Sequence, residues 1–476
     1  MDYRHLRQFL LICILASCYC ATAQRREVHI LSVNDMHATV DVFPQLAALI
    51  DSLRTAHPSL LVLSAGDNRT GNPINDQNEI PGYPMVALMN QLGFNASALG
   101  NHEFDARSLP RLIGLSNFRY ICANITADDS VGIHTVPYQV FDVEGLKVGI
   151  VSAIQVGDNG RPGTHPDNVK GLHFSPPIET IADYEWLSHQ CDATILLSHL
   201  GYDDEVEAAK QFPWLDLIIG GHTHTQLTGK ERVNGVLILQ NKNKLNRVTY
   251  TTLTVDSGRV VDKHAEYIDI KSYPKKNQLV ESMVNYFSNN PKFSQVVGRA
   301  EAPFEEREEL GCMMCDAFIE AFDADLAIEN PGGVRIDHLP AGDITLHDVL
   351  EMDPFNNNAV VLELTGEELL RMMLTSCNSR WYTFPYVGGM RCELTVDLAN
   401  DKLIKRVRLL TLDGKKLNMK RKYRVVTNCY VPTTSKIPEG AAQEQNVQTT
   451  DIVVQYLSHR PSVNYQGVRR LSVKQP

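Results

Sequence analysis

Five short motifs in this 476-residue chain carry side chains suited to one kind of chemistry. They combine carboxylates, side-chain amides and imidazoles, although they lie far apart in the sequence. The motifs are Asp35-Met36-His37, Gly66-Asp67, Gly100-Asn101-His102-Glu103, Ser198-His199-Leu200 and Gly221-His222-Thr223-His224. Imidazole nitrogens mixed with carboxylate and amide oxygens favour zinc, manganese or iron(II) over calcium, which takes oxygen ligands. None of the motifs contains cysteine, so a structural cysteine-rich zinc site is not predicted.

A short apolar run precedes each motif and predicts where its side chains lie. The runs cover residues 28–33, 60–63, 96–99, 193–197 and 215–219. Runs of this length, separated by helical patterns, predict buried parallel strands. Because ligands of an open α/β sheet gather outside the carboxyl ends of its strands, we expect the five motifs to meet in one crevice. One such motif alone is ordinarily a turn or a helix cap, but five in order predict a metal site.

This inventory of ligands suits two divalent cations. Two cations about 3.5 to 4 Å apart share a bridging ligand, and a carboxylate can give one oxygen to each. We expect Asp67 to be that bridge.

The order D-x-H, GD, GNHE, SHLG and GGHTH resembles the calcineurin-type metallophosphoesterases. The second half contains NPGGVR at residues 330–335 and DPFNN at residues 353–357, which narrows the resemblance to the 5′-nucleotidase and UDP-sugar hydrolase family. The match extends over roughly residues 27–430. It implies an α/β fold with an N-terminal αββα sandwich of the calcineurin-like metallophosphatase type, followed by a C-terminal α+β domain of the 5′-nucleotidase type.

The resemblance also implies a role for each motif residue. One metal would be held by Asp35, His37, Asp67 and His224. The other would be held by Asp67, Asn101, His199 and His222. His102, paired with Asp105, would bind no metal and would stabilise the phosphoryl transition state.

The length of the chain exceeds the usual size of a single hydrophobic core, so two domains are expected. We place the metallophosphoesterase domain at residues 24–270 and an interdomain linker helix within residues 271–294, where residues 278–290 have helical period. The C-terminal nucleotide-binding domain follows at residues 295–476. Its helical patterns (310–322, 366–375) and strand patterns (360–364, 403–410, 423–427) predict an α+β architecture.

Two loops of the second half are candidates for substrate binding. NPGGVR is a glycine-rich turn that ends in a guanidinium, which suits a phosphate or a ribose. Phe355 lies in a polar loop, where a stacked base would contribute about 1 to 3 kcal/mol. Alternatively, Phe355 packs on the core and anchors its own loop instead of stacking on a base. The resemblance implies that Asn330, Arg335, Phe355 and Asn357 bind the substrate.

The chain departs from the family pattern after the strand that ends near Asn428. A glycine-rich segment with a second stacking aromatic is expected there, but the sequence reads CYVPTTSK. With Phe355 as the single stacking ring, we expect weak discrimination between bases. Local substitutes for the second ring are Tyr430, Tyr382 and Phe384. The arginine that the family places before Leu310-Gly311 is not cleanly placed in this sequence, and Arg307 is the nearest candidate.

Residues 1–23 have the pattern of a secretory signal peptide. Arg4 and Arg7 precede an uncharged stretch that ends in an A-x-A motif at residues 21–23. A bacterial lipobox at residues 15–18 would instead leave a lipid anchor on Cys18. No later segment approaches 18 consecutive apolar residues, so no transmembrane segment is predicted. We expect a periplasmic or extracellular protein of the cell envelope.

Cysteine usage and charge exclude two further classes. An odd number of cysteines follows residue 23, which argues against a complete disulfide framework. Cys312 and Cys315 form a C-x-x-C within an apolar pattern of helical period, so we interpret them as helix-core residues. The net charge of −11 disfavours polymeric nucleic acid as a partner. A small phosphorylated nucleotide remains compatible, because two divalent cations supply a local positive charge.

The sequence thus predicts an exported hydrolase with two metals that releases phosphate from nucleoside 5′-monophosphates. A 2′,3′-cyclic-nucleotide phosphodiesterase with 3′-nucleotidase activity, or a UDP-sugar hydrolase, would use the same metals. A non-catalytic nucleotide-binding envelope protein is the alternative from another class. The complete ligand set argues against it, since a binding protein has no need of every ligand.

Overall fold

The computed structural model describes residues 25–377, 384–397 and 403–474. The predicted signal peptide, Cys18 and Tyr382 lie outside these ranges. The strands in chain order are β1 Arg26–Val33, β2 Leu61–Ser64, β3 Ala96–Ala98, β4 Arg119–Ile121, β5 Ile125–Ala127, β6 Tyr138–Val143, β7 Leu146–Ile154, β8 Leu172–Phe174, β9 Ala193–His199, β10 Leu217–Ile219, β11 Arg232–Val233, β12 Val236–Leu239, β13 Arg247–Asp256, β14 Arg259–Asp269, β15 Val296–Ala300, β16 Leu326–Glu329, β17 Gly342–Thr345, β18 Asn358–Thr365, β19 Tyr386–Gly388, β20 Met390–Asp397, β21 Leu403–Thr411, β22 Lys422–Asn428, β23 Ala442–Gln448 and β24 Leu471–Lys474. The α-helices are Phe43–Ala56, Pro73–Asp76, Tyr83–Leu92, Leu109–Leu115, Pro177–Ala182, Leu187–Gln190, Tyr202–Gln211, Gln278–Ser288, Arg307–Phe322, Leu346–Met352, Gly366–Cys377, Val431–Thr434 and Thr449–Ser458.

Two six-stranded sheets pack face to face in the N-terminal half. Their strand orders are β14-β13-β1-β2-β3-β4 and β11-β12-β10-β9-β7-β6. Apolar side chains from both sheets, such as Ile30, Leu63, Ile195 and Leu217, form the core between them. Helices cover the outer faces, with Phe43–Ala56 on the first sheet and Tyr202–Gln211 on the second. The predicted αββα sandwich is confirmed.

The five apolar runs that precede the motifs are confirmed as β1, β2, β3, β9 and β10. They do not belong to one open sheet. β1, β2 and β3 are parallel neighbours in the first sheet, whereas β9 and β10 are parallel neighbours in the second. Each strand is buried on both faces because one face meets the other sheet and one meets a helix. The crevice therefore lies between the edges of two sheets.

The C-terminal half is α+β, as predicted. A five-stranded sheet of order β19-β16-β22-β18-β23 adjoins a three-stranded sheet of order β21-β20-β24. The helix Arg307–Phe322 buries Cys312, Cys315 and Phe318. Burial raises the pKa of the Cys312 thiol to about 12, which leaves it protonated and unreactive. The interpretation of this C-x-x-C pair as helix core is confirmed.

The helix predicted between the halves spans Gln278–Ser288. Its residues Val280 and Val284 join the same apolar core as Phe43, and Asn277 donates to Asp51 at 2.8 Å. The helix thus packs on the N-terminal half, and the domain boundaries drawn from the sequence remain predictions. No helix among residues 25–377, 384–397 and 403–474 is both long and apolar enough to span a membrane.

Gly311 offers a test of the C-terminal packing. A Cβ added there would lie 2.2 Å from the ring of Tyr386, so Gly311→Ala should lower the free energy of unfolding by about 1 to 3 kcal/mol, as overpacked cores do. Urea denaturation measures the change. Gly114→Ala is the matched control in another helix, because an added Cβ meets nothing within 4 Å. It should raise stability by about 0.5 to 1 kcal/mol, and equal effects at the two positions would contradict this packing.

Candidate metal centre

The motif residues are held in an unusual backbone conformation. Asp35, His37, Asp67, His222 and His224 have positive φ angles of 48, 45, 52, 76 and 53°. Such angles are uncommon for residues other than glycine and persist where surrounding structure enforces them, often at functional sites. Their concentration at the ends of β1, β2 and β10 marks this crevice as the candidate site.

Asp35, His37 and His224 form one group with ligand geometry. Oδ1 of Asp35 lies 3.4 Å from Nε2 of His224, and Nε2 of His224 lies 3.1 Å from Nε2 of His37. Nδ1 of His37 donates to the carbonyl of Thr70 at 3.1 Å, so its Nε2 carries a lone pair that faces the group. These three side chains converge on one point between them.

Asp67, His199 and His222 form a second group. Oδ2 of Asp67 lies 3.2 Å from Nε2 of His199, and Oδ1 of Asn101 lies 3.0 Å from Nδ1 of His222. Asp67 also clusters with His37 of the first group. It therefore lies between the two groups, where the sequence placed a bridging carboxylate.

His199 shows that these residues fit a cation. Its Nδ1 donates to the carbonyl of Ala65 at 2.7 Å, so Nε2 of the neutral imidazole carries a lone pair. That Nε2 is buried, has no hydrogen-bond partner among the residues described, and faces a carboxylate oxygen. Burial alone lowers the pKa of His199, but Asp67 and Asp35 reverse this and raise it to about 10. The position between Nε2 and Asp67 therefore favours a positive charge, which a divalent metal would supply in place of the proton.

His102 lies close to His37 and Asp67, but its Nδ1 has a partner outside both ligand groups. Its Nδ1 lies 2.5 Å from Oδ2 of Asp105, and Thr164 donates to the other oxygen of Asp105 at 3.2 Å. Burial opposes a charged imidazole, yet Asp105 and Asp67 raise the pKa of His102 above its usual value. His102 is therefore held in a fixed orientation with a proton available.

Glu103 positions Asp67. Its carboxylate accepts hydrogen bonds from the backbone N–H groups of Asp67 at 2.9 Å, Asn68 at 2.8 Å and Gly100 at 2.6 Å. Gly100 is required there, since an added Cβ would lie 2.1 Å from Oδ1 of Asp67. The sequence placed Glu103 within a motif but assigned it no role.

Glu205, on the helix Tyr202–Gln211, was missed altogether. It is fully buried and accepts hydrogen bonds from Gly221 N–H and the Ser198 hydroxyl, each at 3.1 Å. Its other oxygen accepts from Gln240 at 3.1 Å, and Gln240 also donates to the carbonyl of Gly221 at 2.8 Å. Burial raises the pKa of Glu205 to about 8, although the donors from Gly221 and Ser198 oppose this shift. Glu205 and Gln240 together fix the strained loop that carries His222 and His224.

Loops of the C-terminal half reach the same place. A cavity of about 630 Å³ is lined by motif residues and by all four predicted substrate residues, Asn330, Arg335, Phe355 and Asn357. Nη2 of Arg335 lies 3.1 Å from Nε2 of His37. The ring of Phe355 stacks on His102 with centroids 5.8 Å apart. Phe355 thus faces the cavity, and the alternative that it anchors its loop on the core is wrong.

The structure separates the candidates for the second ring. Tyr430 lines the cavity, whereas Phe384 packs against a hydrophobic core of the C-terminal half. Arg307, the nearest match to the arginine of the family, also lines the cavity and donates to Asp337 at 2.7 Å.

Gln155 and Arg161, which were not predicted from the sequence, line the cavity as well. The missed signal is the apolar run of β7, which Gln155 follows directly. This is the same arrangement that identified the five motifs.

Comparison with known proteins agrees with this arrangement. A family model described as calcineurin-like phosphoesterase matches residues 28–226, and one described as 5′-nucleotidase, C-terminal domain, matches residues 288–436. The chain belongs to the calcineurin-like phosphoesterases that carry a 5′-nucleotidase C-terminal domain. The predicted enzyme class, a metal-dependent phosphoester hydrolase, is confirmed by these matches.

Several known proteins are similar to this phosphoesterase over most of its length. A 5′-nucleotidase of Vibrio cholerae is 28% identical, over 87% of this chain and 87% of that protein. The trifunctional nucleotide phosphoesterase protein YfkN of Bacillus subtilis is 26% identical over 85% of this chain, but the chain spans only 32% of its length. The crystal structure of a 5′-nucleotidase precursor from Thermus thermophilus superimposes with a TM-score of 0.84, at 24% identity, over 94% of this chain and 99% of that one. This last likeness shows the fold.

Glu205→Gln tests whether Glu205 holds the loop of His222 and His224 in place. The glutamine amide replaces one accepting oxygen by an NH2 group, which faces the N–H donor of either Gln240 or Gly221. This loss of a hydrogen bond should loosen the loop that carries His222 and His224. We expect metal affinity to fall about 10- to 100-fold, as for other residues that orient ligands, measured by competition with a chelator. Glu207→Gln on the same helix is the control, because Glu207 is only partly buried and pairs with Lys210. Unchanged metal affinity in Glu205→Gln would contradict this role.

Proposed function

We propose that the protein is an exported phosphohydrolase that uses two divalent metal ions to release phosphate from nucleoside 5′-monophosphates. The observation that carries this proposal is the shared cavity. Its lining includes members of both candidate ligand groups, a guanidinium and an aromatic ring, so one small molecule could contact all of them. A phosphate, a ribose and a base require these three kinds of contact.

Each group has a place in this mechanism. Asp35, His37, Asp67 and His224 would hold one metal, and Asp67, Asn101, His199 and His222 the other. When bound, two such cations neutralise phosphate charge and lower the pKa of water toward neutrality. Zinc, manganese or iron fits the mixed nitrogen and oxygen ligands.

His102 acts at the phosphoryl group in this proposal. Asp105 orients its ring and holds its proton, so His102 can donate a hydrogen bond to the developing charge or to the leaving oxygen. Arg335 binds phosphoryl oxygens, since its guanidinium already stands beside His37. Phe355 would stack on the base.

Export and the choice of substrate rest on separate support. The signal-peptide pattern of residues 1–23 supports a periplasmic or extracellular location, with either cleavage after Ala23 or a lipid anchor on Cys18. The 5′-nucleotidase of Vibrio cholerae supports nucleoside 5′-monophosphates as substrates. A cyclic-nucleotide phosphodiesterase, a UDP-sugar hydrolase and a non-catalytic binding protein remain the alternatives. Phosphate release from AMP, UDP-glucose and 2′,3′-cyclic AMP separates them, and AMP should be hydrolysed with the highest kcat/KM.

Asp67→Ala and His102→Ala separate metal binding from transition-state stabilisation. Asp67→Ala removes a ligand from both ions, so it should abolish turnover and lower the metal content measured by elemental analysis. His102→Ala should keep both metals and lose roughly 100-fold or more in kcat. Full metal content together with full activity in Asp67→Ala would overturn the two-metal assignment.

Phe355→Ala tests the base contact. Loss of one stacked ring should lower kcat/KM by the equivalent of about 1 to 3 kcal/mol, and similarly for AMP, GMP, UMP and CMP, because stacking does not select one base. Hydrolysis of p-nitrophenyl phosphate, which has no base, is the control and should change little. Strong selectivity for one base that survives Phe355→Ala but disappears in Tyr430→Ala would show that Tyr430 forms the base contact instead.

A further inference from the structure

The loop that follows β7 forms a polar wall of the cavity. Gln155 begins this loop, and its backbone N–H donates to the carbonyl of His199 at 3.0 Å. Its side chain is almost completely buried, at 2% exposure. Even so, the amide makes no hydrogen bond to any residue in the described part of the chain, and its Oε1 is enclosed without a partner. Nε2 of the same amide lies beside Gly163, another residue of the cavity lining, so its N–H groups are available to an acceptor in the cavity.

Arg161 lies on the same wall. Its Nη2 donates to the carbonyl of Thr433, in the C-terminal half, at 3.2 Å. Within the residues described here, no carboxylate lies within ion-pair distance of its guanidinium, and Nε is buried without a partner. A cavity-lining arginine without a counter-ion is suited to an anionic ligand.

Gly163 leaves a gap between these groups. A Cβ added at Gly163 would lie 3.6 Å from Nε2 of Gln155 and 4.0 Å from the hydroxyl of Tyr430. The carbonyl of Gly163 accepts from Asn101 at 3.3 Å, so the gap adjoins the metal motifs. Burial raises the pKa of Tyr430, although Arg161 opposes the shift, and the hydroxyl therefore stays a donor at neutral pH.

We propose that Gln155, Arg161 and Tyr430 form an anion subsite that binds a second phosphate of the substrate, distinct from the phosphate that is cleaved. The three groups present an amide N–H, a guanidinium and a hydroxyl, which are the donors that phosphate oxygens accept. The subsite deepens the proposed nucleotide hydrolysis and rests on it. The substrates it favours are nucleotides with two phosphates, joined at the 5′ position or carried separately at the 3′ and 5′ positions.

Steady-state kinetics of the metal-loaded, full-length enzyme test this subsite. The substrates are AMP, ADP and adenosine 3′,5′-bisphosphate. Arg161→Gln should lower the ratio of kcat/KM for a two-phosphate nucleotide to kcat/KM for AMP by about 10-fold or more, because a charge-assisted hydrogen bond is lost. Arg161→Lys, which keeps the charge, should retain part of the preference. The ratio should fall for ADP if the second phosphate is joined at the 5′ position, and for adenosine 3′,5′-bisphosphate if it is carried at the 3′ position.

Arg111→Gln is the matched control, since Arg111 is exposed on another helix. If Arg161→Gln lowered kcat/KM equally for all three nucleotides, Arg161 would only join the two halves through Thr433 and the subsite would be refuted. An unchanged ratio would refute it as well.

A second arm separates the subsite from the proposed function. Methylphosphonate and methylenediphosphonate are compared as inhibitors of p-nitrophenyl phosphate hydrolysis. Any capture of metal by the diphosphonate is the same in each variant and cancels. If no nucleotide is hydrolysed but Arg161→Gln weakens diphosphonate inhibition about 10-fold more than methylphosphonate inhibition, the subsite stands and the nucleotide assignment falls. If inhibition by the two compounds changes equally, the subsite itself is refuted.

Discussion

The geometry of the whole centre depends on the burial of one carboxylate, Asp67. It is 2% exposed, has a left-handed backbone and faces imidazoles of both ligand groups. One oxygen is 3.2 Å from His199, and the other accepts from the backbone of His102 at 2.8 Å. An isolated buried carboxylate is costly, so this arrangement is stable only with positive charge beside it. The fold supplies lone pairs around Asp67, and metal ions can supply the charge.

Buried polar side chains around the candidate ligands hold their strained backbone in place. Glu103 fixes the backbone at Asp67, and Glu205 with Gln240 fixes the strained loop of His222 and His224. Both glutamates are buried and meet backbone N–H groups. The hydrogen bonds that each glutamate accepts offset the free-energy cost of burying it. They also hold the ligand-bearing loops in one conformation. The ligands are thereby preorganised by a layer of residues that bind neither metal nor substrate.

Residues of both halves line the cavity of the proposed centre. The candidate metal ligands come from the sandwich, whereas Arg335, Phe355 and Tyr430 come from the C-terminal half. The guanidinium of Arg335 lies beside His37, and the ring of Phe355 stacks on His102. Arginines and aspartates both line the cavity, so the positive charge that would attract a phosphate to this acidic chain is expected from bound metal ions together with these arginines.

Local features of the sequence predicted much of this site. The apolar runs before Asp35, Asp67, Asn101, His199 and His222 located the strand ends, because burial on both faces requires continuous apolar residues. The division of those strands between two sheets could not be predicted from the runs, since pairing is set by long-range packing. Glu205 and Gln240 were missed because their partners are distant in sequence. Gln155 was recognisable from the run in β7, but one glutamine after a strand has no distinctive chemistry until its burial is known.

Crystals grown with manganese would show whether Asp67 bridges two metal ions, through anomalous difference maps collected at the manganese absorption edge. We expect two peaks about 3.5 to 4 Å apart, with one oxygen of Asp67 bound to each. Asp35, His37 and His224 should surround the first peak, and Asn101, His199 and His222 the second. A single peak, or two peaks of which Asp67 contacts only one, would contradict this expectation.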